Sequence, residues 1–355
     1  MTDIFEIQSD ISKRIVTALQ ATLTPVARER IELKPTEDLE AYDLYLLGRY
    51  RWAARSAENL RDAVRYFEAA IERDSTFALA WAGLADAWTV LPFYGPVPSL
   101  DAYTRGRMAA QRALDLDEGL AEVHAALGAL ALYHEWEWEL AERHLLRALE
   151  LNSNYADAYH WLGIVQRALR RWDRAIHCIQ EGIILNPLGN NFHYALAVVF
   201  YDAGRVGEAL AAFRTAEKLE PPVAWGLQFM SIFLIHQGRT EEASHVIQRW
   251  GEVVGYRNPD LLQVVLRAFD DSAFTGEALA ALEDVWRTTG LRAGDLVSLY
   301  LNLHAPAEAL GVVQEAIAQR HVFVPWLGKN AFTRDGVLES PEIKAALEEI
   351  GVRIN

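Results

Sequence analysis

The sequence predicts an all-α protein, an α-α superhelix in which helical hairpins stack into a solenoid. Three observations predict it. Large and small residues recur with a step of 34 positions, from Gly163 to Ala197. The apolar residues between them follow the i, i+3, i+4 spacing of one buried helical face. A proline closes each of these two units, at Pro187 and Pro221, where a helix cannot continue.

The central units carry the pattern best. One reads Tyr159, Leu162, Gly163, then Ala175, Ile179, Gly182 and Pro187; the next reads His193, Leu196, Ala197, Phe200, then Ala209, Phe213, Ala216 and Pro221. Glycine or alanine where helix A of a hairpin meets helix B lets two backbones approach. Leucine, phenylalanine and tryptophan fill the space beside them. The period and the residue sizes resemble the tetratricopeptide repeat. Stacked units of that kind build binding surfaces, which argues against a self-contained enzyme.

In chain order, Ile4, Phe5, Ile7, Ile11, Ile15, Val16, Leu19 and Leu23 give one apolar helical face over Asp3 to about Leu23. Pro25 ends that helix, and the polar stretch to Asp38 reads as a linker, so residues 1–38 form a leading helix with its linker. Residues 39–320 form the array. Its first unit has Leu44, Leu47 and Gly48 on helix A, with Ala63, Phe67 and Ala70 on helix B. The second has Trp81, Leu84, Ala85 and Trp88, then Ala110, Ala113 and Leu116; the third has Leu127 and Gly128, then Ala141, Leu145 and Ala148. A sixth unit, worn, follows the central pair with Ser231, Ala243, Ile247 and Trp250. Two weaker pairs are anchored by Ala278, Leu282 and Val285, and by Ala309, Val313 and Ala316. That makes seven to eight hairpins. Residues 321–355 form a C-terminal cap whose last helix opens at Ser340-Pro341 and stops before Gly351. Within the second unit the run LPFYGPVPSLD is rich in proline and reads as a rigid protruding loop.

Composition narrows the function. The net charge is −15, and no basic cluster offsets it, so direct nucleic-acid binding is not expected. Cys178 is the one cysteine, which excludes an intrachain disulfide and any cysteine-based zinc site. The acidic start MTDIFEIQSDISKRIV lacks the basic flank and apolar run of a signal peptide, and no stretch approaches the length of a membrane span. The expected location is the cytoplasm.

No motif announces catalysis. His134-Glu135 opens like a zinc-protease signature, but Trp138 stands where the second histidine is needed. His177 and Cys178 are adjacent on a helix, so their side chains diverge by about 100° and make no nucleophile–base pair. There is no phosphate-binding loop and no nucleophile elbow. Neither a cofactor nor a metal is expected, and the chain reads as a non-enzyme. The alternating run HEWEWE has two readings. Trp136 and Trp138 pack over the turn between two helices, or they protrude as an aromatic contact.

The remaining candidate is the concave groove. Inward positions fall at −3, +1 and +4 from each small residue of helix A. They give His160, Ile164 and Arg167; Tyr194, Val198 and Tyr201; and Gln228, Ile232 and Ile235. From Gly128 they give Ala125, Ala129 and Leu132, with Tyr133 alongside. The candidate contact residues are therefore Tyr133, His160, Arg167, Tyr194, Tyr201 and Gln228. Ala82, Asp86, Ala125 and Ala129 occupy positions where chaperone-tail-binding repeats carry a cationic and amide clamp, so a terminal carboxylate is a poor ligand. An apolar or aromatic protein segment, helical or extended, fits better. Packing between repeats is the alternative use of each of these side chains.

Several stretches carry a second resemblance: DIFEIQSDISKRIVTAL, AYDLYLLGRYRW, FYGPVP, LYHEWEWELAERHLLRALELNSNYADAYHWLG and the helix after Ser340, in that order. Together they resemble the C-terminal repeat module of bacterial multidomain regulators. There the module follows a winged-helix DNA-binding domain, a class III adenylate cyclase domain or a protein kinase domain. The sequence holds no such output domain, so neither DNA binding nor cyclase activity carries over. Its last motif also departs, with Ser340-Pro341-Glu342-Ile343 in place of an Asp-Pro-Arg-Phe start. The resemblance implies a regulatory or interaction module: a scaffold that binds a protein segment, or alternatively a ligand- or peptide-sensing part of a larger signalling protein. An enzyme with an unrecognised site is the weakest alternative.

Overall fold

The computed structural model describes residues 34–327, apart from 96, 259, 260, 292 and 304, together with 340–350 and the three residues Asp10, Ile11 and Arg14. The expected leading helix otherwise lies outside the described residues, as does Gly351. Among the described residues there is no β-strand.

Among the described residues, eight helical hairpins follow one another. They are α1 (Leu39–Ala53) with α2 (Ala57–Arg73), α3 (Ala78–Val90) with α4 (Ser99–Leu116), and α5 (Ala121–Leu130) with α6 (Trp138–Leu151). Next come α7 (Ala156–Ala168) with α8 (Trp172–Leu185), α9 (Asn190–Asp202) with α10 (Val206–Glu217), and α11 (Ala224–His236) with α12 (Thr240–Val253). The worn end supplies α13 (Leu262–Asp270) with α14 (Thr275–Thr289) and α15 (Ala293–Tyr300) with α16 (Pro306–Ala318). A last helix, α17 (Pro341–Glu349), packs on α16 through buried Ile343 and Leu347. The expected count of hairpins and the closing helix are both present.

The 34-residue step is a backbone fact as well as a side-chain one. Trp136, Arg170, Gly204 and Gly238 all adopt left-handed backbone, and each ends a helix A. After three of them the same bond recurs, from Arg171 N to Gln166 O at 2.8 Å, Arg205 N to Phe200 O at 2.8 Å and Arg239 N to Leu234 O at 2.9 Å. This is the six-to-one bond of a Schellman end, which turns the chain back towards helix B. Inside each hairpin the small residue is as crowded as its size suggests. A Cβ on Gly163 would lie 2.4 Å from Ile179 Cγ1, and one on Gly128 would lie 2.6 Å from Leu145 Cγ.

Three expectations change. Leu47 is 45% exposed, with Leu46 and Tyr50 beside it. The HEWEW turn is more than a plain turn: Ala131–Glu135 widen into a π-helical turn at the end of α5, and Trp136 and Trp138 pack half-buried against the core beside it. The proline-rich loop of the second unit does not protrude. Leu91 and Pro92 are buried in a 3-10 turn, and Phe93 and Tyr94 are half-buried and fold inwards.

Candidate functional site

The six sequence-predicted residues lie on helix A of the third to sixth units, Tyr133 on the π-helical turn that ends α5. Five of them are buried. Tyr133 is 3% exposed, at the π-helical turn, edge-on to Phe93 with ring centroids 4.8 Å apart. His160 rests against Phe192 at 4.9 Å, and burial pulls its imidazole down to about 3. Arg167 forms a buried ion pair with Asp202, Nε to Oδ2 at 2.6 Å. Tyr194 is 1% exposed between Phe213 and Trp225, and Gly226 is a glycine because a Cβ there would sit 2.5 Å from the Tyr194 ring. Gln228 donates from Nε2 to Ser298 Oγ at 2.8 Å and to the Asp295 carbonyl at 3.1 Å. Tyr201 is the half-buried member, edge-on to Phe233 at 4.9 Å, its hydroxyl 3.1 Å from His236 Nδ1.

Polar contacts between A helices recur with the same phase. Arg167 meets Asp202, and Tyr201 meets His236; each pair joins the +4 position of one unit to the +5 position of the next. Longer contacts skip a unit: Tyr155 OH donates to Asp86 Oδ2 at 3.3 Å from α7's entry to α3, and His236 Nε2 lies 2.9 Å from Asn302 Oδ1. Long polar side chains thus bridge A helices two units apart.

Two further arginines were not among the expected contacts. Arg49 Nη1 reaches Asp86 Oδ2 at 3.3 Å, and Arg55 Nη2 reaches Asp157 Oδ1 at 2.6 Å. Both guanidinium groups stack on Trp52, 4.5 and 3.8 Å from its ring centre. Burial pushes the Asp86 carboxyl up to about 7. The signal for Arg49 was available, because it is the +1 residue from Gly48, the place that Asp86 takes one unit later. Arg55 follows from no such projection; it is the left-handed residue of the first hairpin turn.

The C-terminal segment fills the space these side chains enclose. After α16, Arg320 adopts left-handed backbone, and the chain crosses the inner face through a 3-10 turn, Val324–Trp326. Phe323 meets Phe93 at 5.6 Å and Phe229 at 5.7 Å. Trp326 stacks on Phe229 at 5.7 Å and contacts Trp225 at 5.9 Å, and the Arg167 guanidinium lies 4.6 Å from its ring centre. His321 Nε2 is 3.1 Å from Asp295 Oδ1. Arg320 itself docks on the π-helical turn, donating to the His134 carbonyl at 2.5 Å.

Residues 144–177 and 162–224 each match the tetratricopeptide repeat family. Residues 144–224 are tetratricopeptide repeats. The match covers the second half of the third unit, the fourth and fifth units and the start of the sixth, where the backbone period is strictest. Among curated proteins, the chain is similar to "Putative adenylate cyclase 3" of Rhizobium meliloti, 34% identical over 135 residues, 37% of this chain and 22% of that protein. It is also similar to "Superkiller protein 3" of Schizosaccharomyces pombe, 24% identical over 234 residues, 64% of this chain and 16% of that protein. The chain thus spans less than a quarter of the length of these two curated relatives. Among solved structures, yeast Tom70 aligns over 90% of this chain and 67% of its own, with a TM-score of 0.48 and 16% identity.

Among the described residues no three His, Cys, Asp or Glu side chains gather where they could hold a metal ion, and no helix is long and apolar enough to cross a membrane. Cys178 is buried on α8, and burial pushes its thiol up to about 11. That thiol is a core filler.

Proposed function

We propose that this chain is a non-catalytic repeat scaffold that captures an apolar or aromatic protein segment along the inner face of its A helices, in the cytoplasm, as a regulatory module. The observation that supports this is the chemistry of the face. Half-buried Tyr201 lies over an aromatic layer of buried Tyr133, Tyr194, Trp225 and Phe229, and the cations Arg49, Arg55 and Arg167 are each tied to a carboxylate. A surface of this kind recognises apolar side chains and has little to offer a phosphate backbone. The division into a leading segment to 38, an array over 39–320 and a cap from 321 belongs to the same proposal. Display of random peptides against the full chain, with the photoreactive residue p-benzoylphenylalanine at Tyr201 or Ile184, tests it. Enriched peptides should crosslink at Tyr201 on the inner face and not at Ile184, which is 71% exposed on α8. Crosslinking at Ile184 alone, or no enrichment, overturns the reading.

A second reading makes the chain the sensing part of a larger signalling protein, such as an adenylate cyclase or transcriptional regulator. The likeness over 135 residues to a protein named as an adenylate cyclase, of which this chain spans 22%, favours it. A ligand-dependent change in small-angle scattering would separate a sensor from a static scaffold.

A further inference from the structure

In a solenoid each unit touches its neighbours, so a segment leaving the eighth unit should meet the eighth and little else. Residues 320–327, Arg-His-Val-Phe-Val-Pro-Trp-Leu, instead touch the second unit at Phe93, the third at His134, the fourth at Arg167 and the sixth at Trp225 and Phe229. Val322, Phe323, Val324, Trp326 and Leu327 are all 5% exposed or less. The backbone runs in successive three-residue turns: Val324 N to His321 O at 3.0 Å, Trp326 N to Phe323 O at 3.0 Å and Leu327 N to Val324 O at 3.1 Å. Side chains three apart eclipse in that conformation. Phe323 and Trp326 therefore form one stripe, and Arg320, in left-handed backbone just before these turns, adds the contact to His134.

Each of these three side chains has a prepared seat. The Arg320 guanidinium lies at the C-terminal end of α5 and its π-helical turn, where the helix dipole favours a cation. It stands 5.5 Å from the Trp136 ring centre and 5.9 Å from that of Tyr103. Phe323 enters between Phe93 and Phe229, and Trp326 lies between Phe229 and the Arg167 guanidinium. Both stretches that set this chain apart within its repeats, FYGPVP and HEWEW, supply part of the seat.

We propose that residues 320–327 are the chain's own ligand for its inner face, and that the partner is a protein segment presenting Arg-x-x-Phe-x-x-Trp in the same turns, which binds by displacing them. This rests on the inner-face reading above and names both the chemistry of the partner and the regulation of the site. A tethered segment competes with any free one, so the apparent affinity of a partner is reduced by the fraction of molecules in which the seat is empty.

Fluorescence anisotropy with the labelled peptide RHVFVPWL tests this on the full chain and on its Phe323→Ala/Trp326→Ala variant. The variant should bind the peptide at least about tenfold more tightly than the wild type. The same peptide with alanine for Phe and Trp should not bind. Equal affinity for wild type and variant, equal binding of the alanine peptide, or no binding to a variant with wild-type circular dichroism overturns the proposal. Should the variant lose helicity, hydrogen exchange of the wild type decides. The amides of Val324, Trp326 and Leu327 should open while those of α7 and α11 stay protected. Exchange of all of them together overturns it. Failure here, with displayed peptides still crosslinking at Tyr201, would sink the self-ligand alone; crosslinking only at Ile184 would sink the inner-face reading itself.

Discussion

Arg320 and His134, 186 residues apart in the chain, hold each other from both sides. Arg320 Nη1 donates to the His134 carbonyl at 2.5 Å, and the Arg320 carbonyl lies 3.3 Å from His134 Nδ1, which donates to it. The neutral imidazole suits this role, since burial pulls His134 down to about 3. Arg320→Ala should lower stability by about 1.5–3 kcal/mol, the worth of a hydrogen bond from a charged donor. Arg320→Gly should lose about 1–2 kcal/mol less, because Arg320 sits at φ 48° and glycine relieves that backbone strain. Urea midpoints of the three chains check both numbers, and equal loss in the two variants would deny the strain.

The Arg167–Asp202 pair is 2% and 1% exposed at its side chains. Arg167→Met strands a buried carboxylate and should cost about 3–5 kcal/mol. Adding Asp202→Leu should recover most of that loss, because a buried pair is worth little against apolar replacements. A double variant no more stable than the single one would show that Asp202 has another partner.

Glycines separate crowded from open positions. Gly163→Ala drives a Cβ to 2.4 Å from Ile179 Cγ1 and 3.1 Å from the Ala175 carbonyl, and should cost about 1–3 kcal/mol. Gly311→Ala, inside α16 with nothing within 4 Å of the new atom, should gain about 0.5–1 kcal/mol. Thermal melts of the two variants should move in opposite directions.

Acid should weaken the fold before it unfolds it. Burial holds His134 and His160 at about 3 and His144 at about 4, below the ordinary value of 6.5. Between those values and 6.5 the unfolded chain carries protons the folded chain refuses, so stability is full above about pH 6.5 and falls as pH falls. Asp86 runs the other way, since its carboxyl at about 7 keeps a proton when folded that it sheds near 3.8 when unfolded. Three imidazoles outweigh one carboxyl, and the urea midpoint should drop from pH 7 to pH 5. His134→Asn with His160→Asn should flatten that drop; a midpoint that rises on acidification would contradict the burial of these rings.

Much of this architecture was legible because it is local. The turn at Arg170 recurs at Gly204 and Gly238, and the crowding at Gly163 follows from residue size alone. The inner face was legible in phase but not in depth. Tyr194 stands where the 34-residue step places it, yet it is sealed beneath Gly226 and Trp225, because the period says which way a helix faces and not how tightly the units wind. Phe93 shows the same limit: prolines predict a rigid loop, whereas its direction depends on Tyr133 and Phe323, residues far away in sequence. The Val324–Trp326 turn carries no period and reads only as part of the C-terminal cap. Only the fold brings it to the third, fourth and sixth units.

The contact between Arg320 and His134 also makes the repeat array count. An open solenoid can gain or lose a unit and merely change length. Here the segment leaving the eighth unit must arrive at the third, so one unit more or fewer would carry Arg320 past its seat or leave it short. Insertion and deletion of whole repeats, the ordinary currency of change in such arrays, is closed to the stretch between residues 134 and 320: a clasp fixes the length of what it closes.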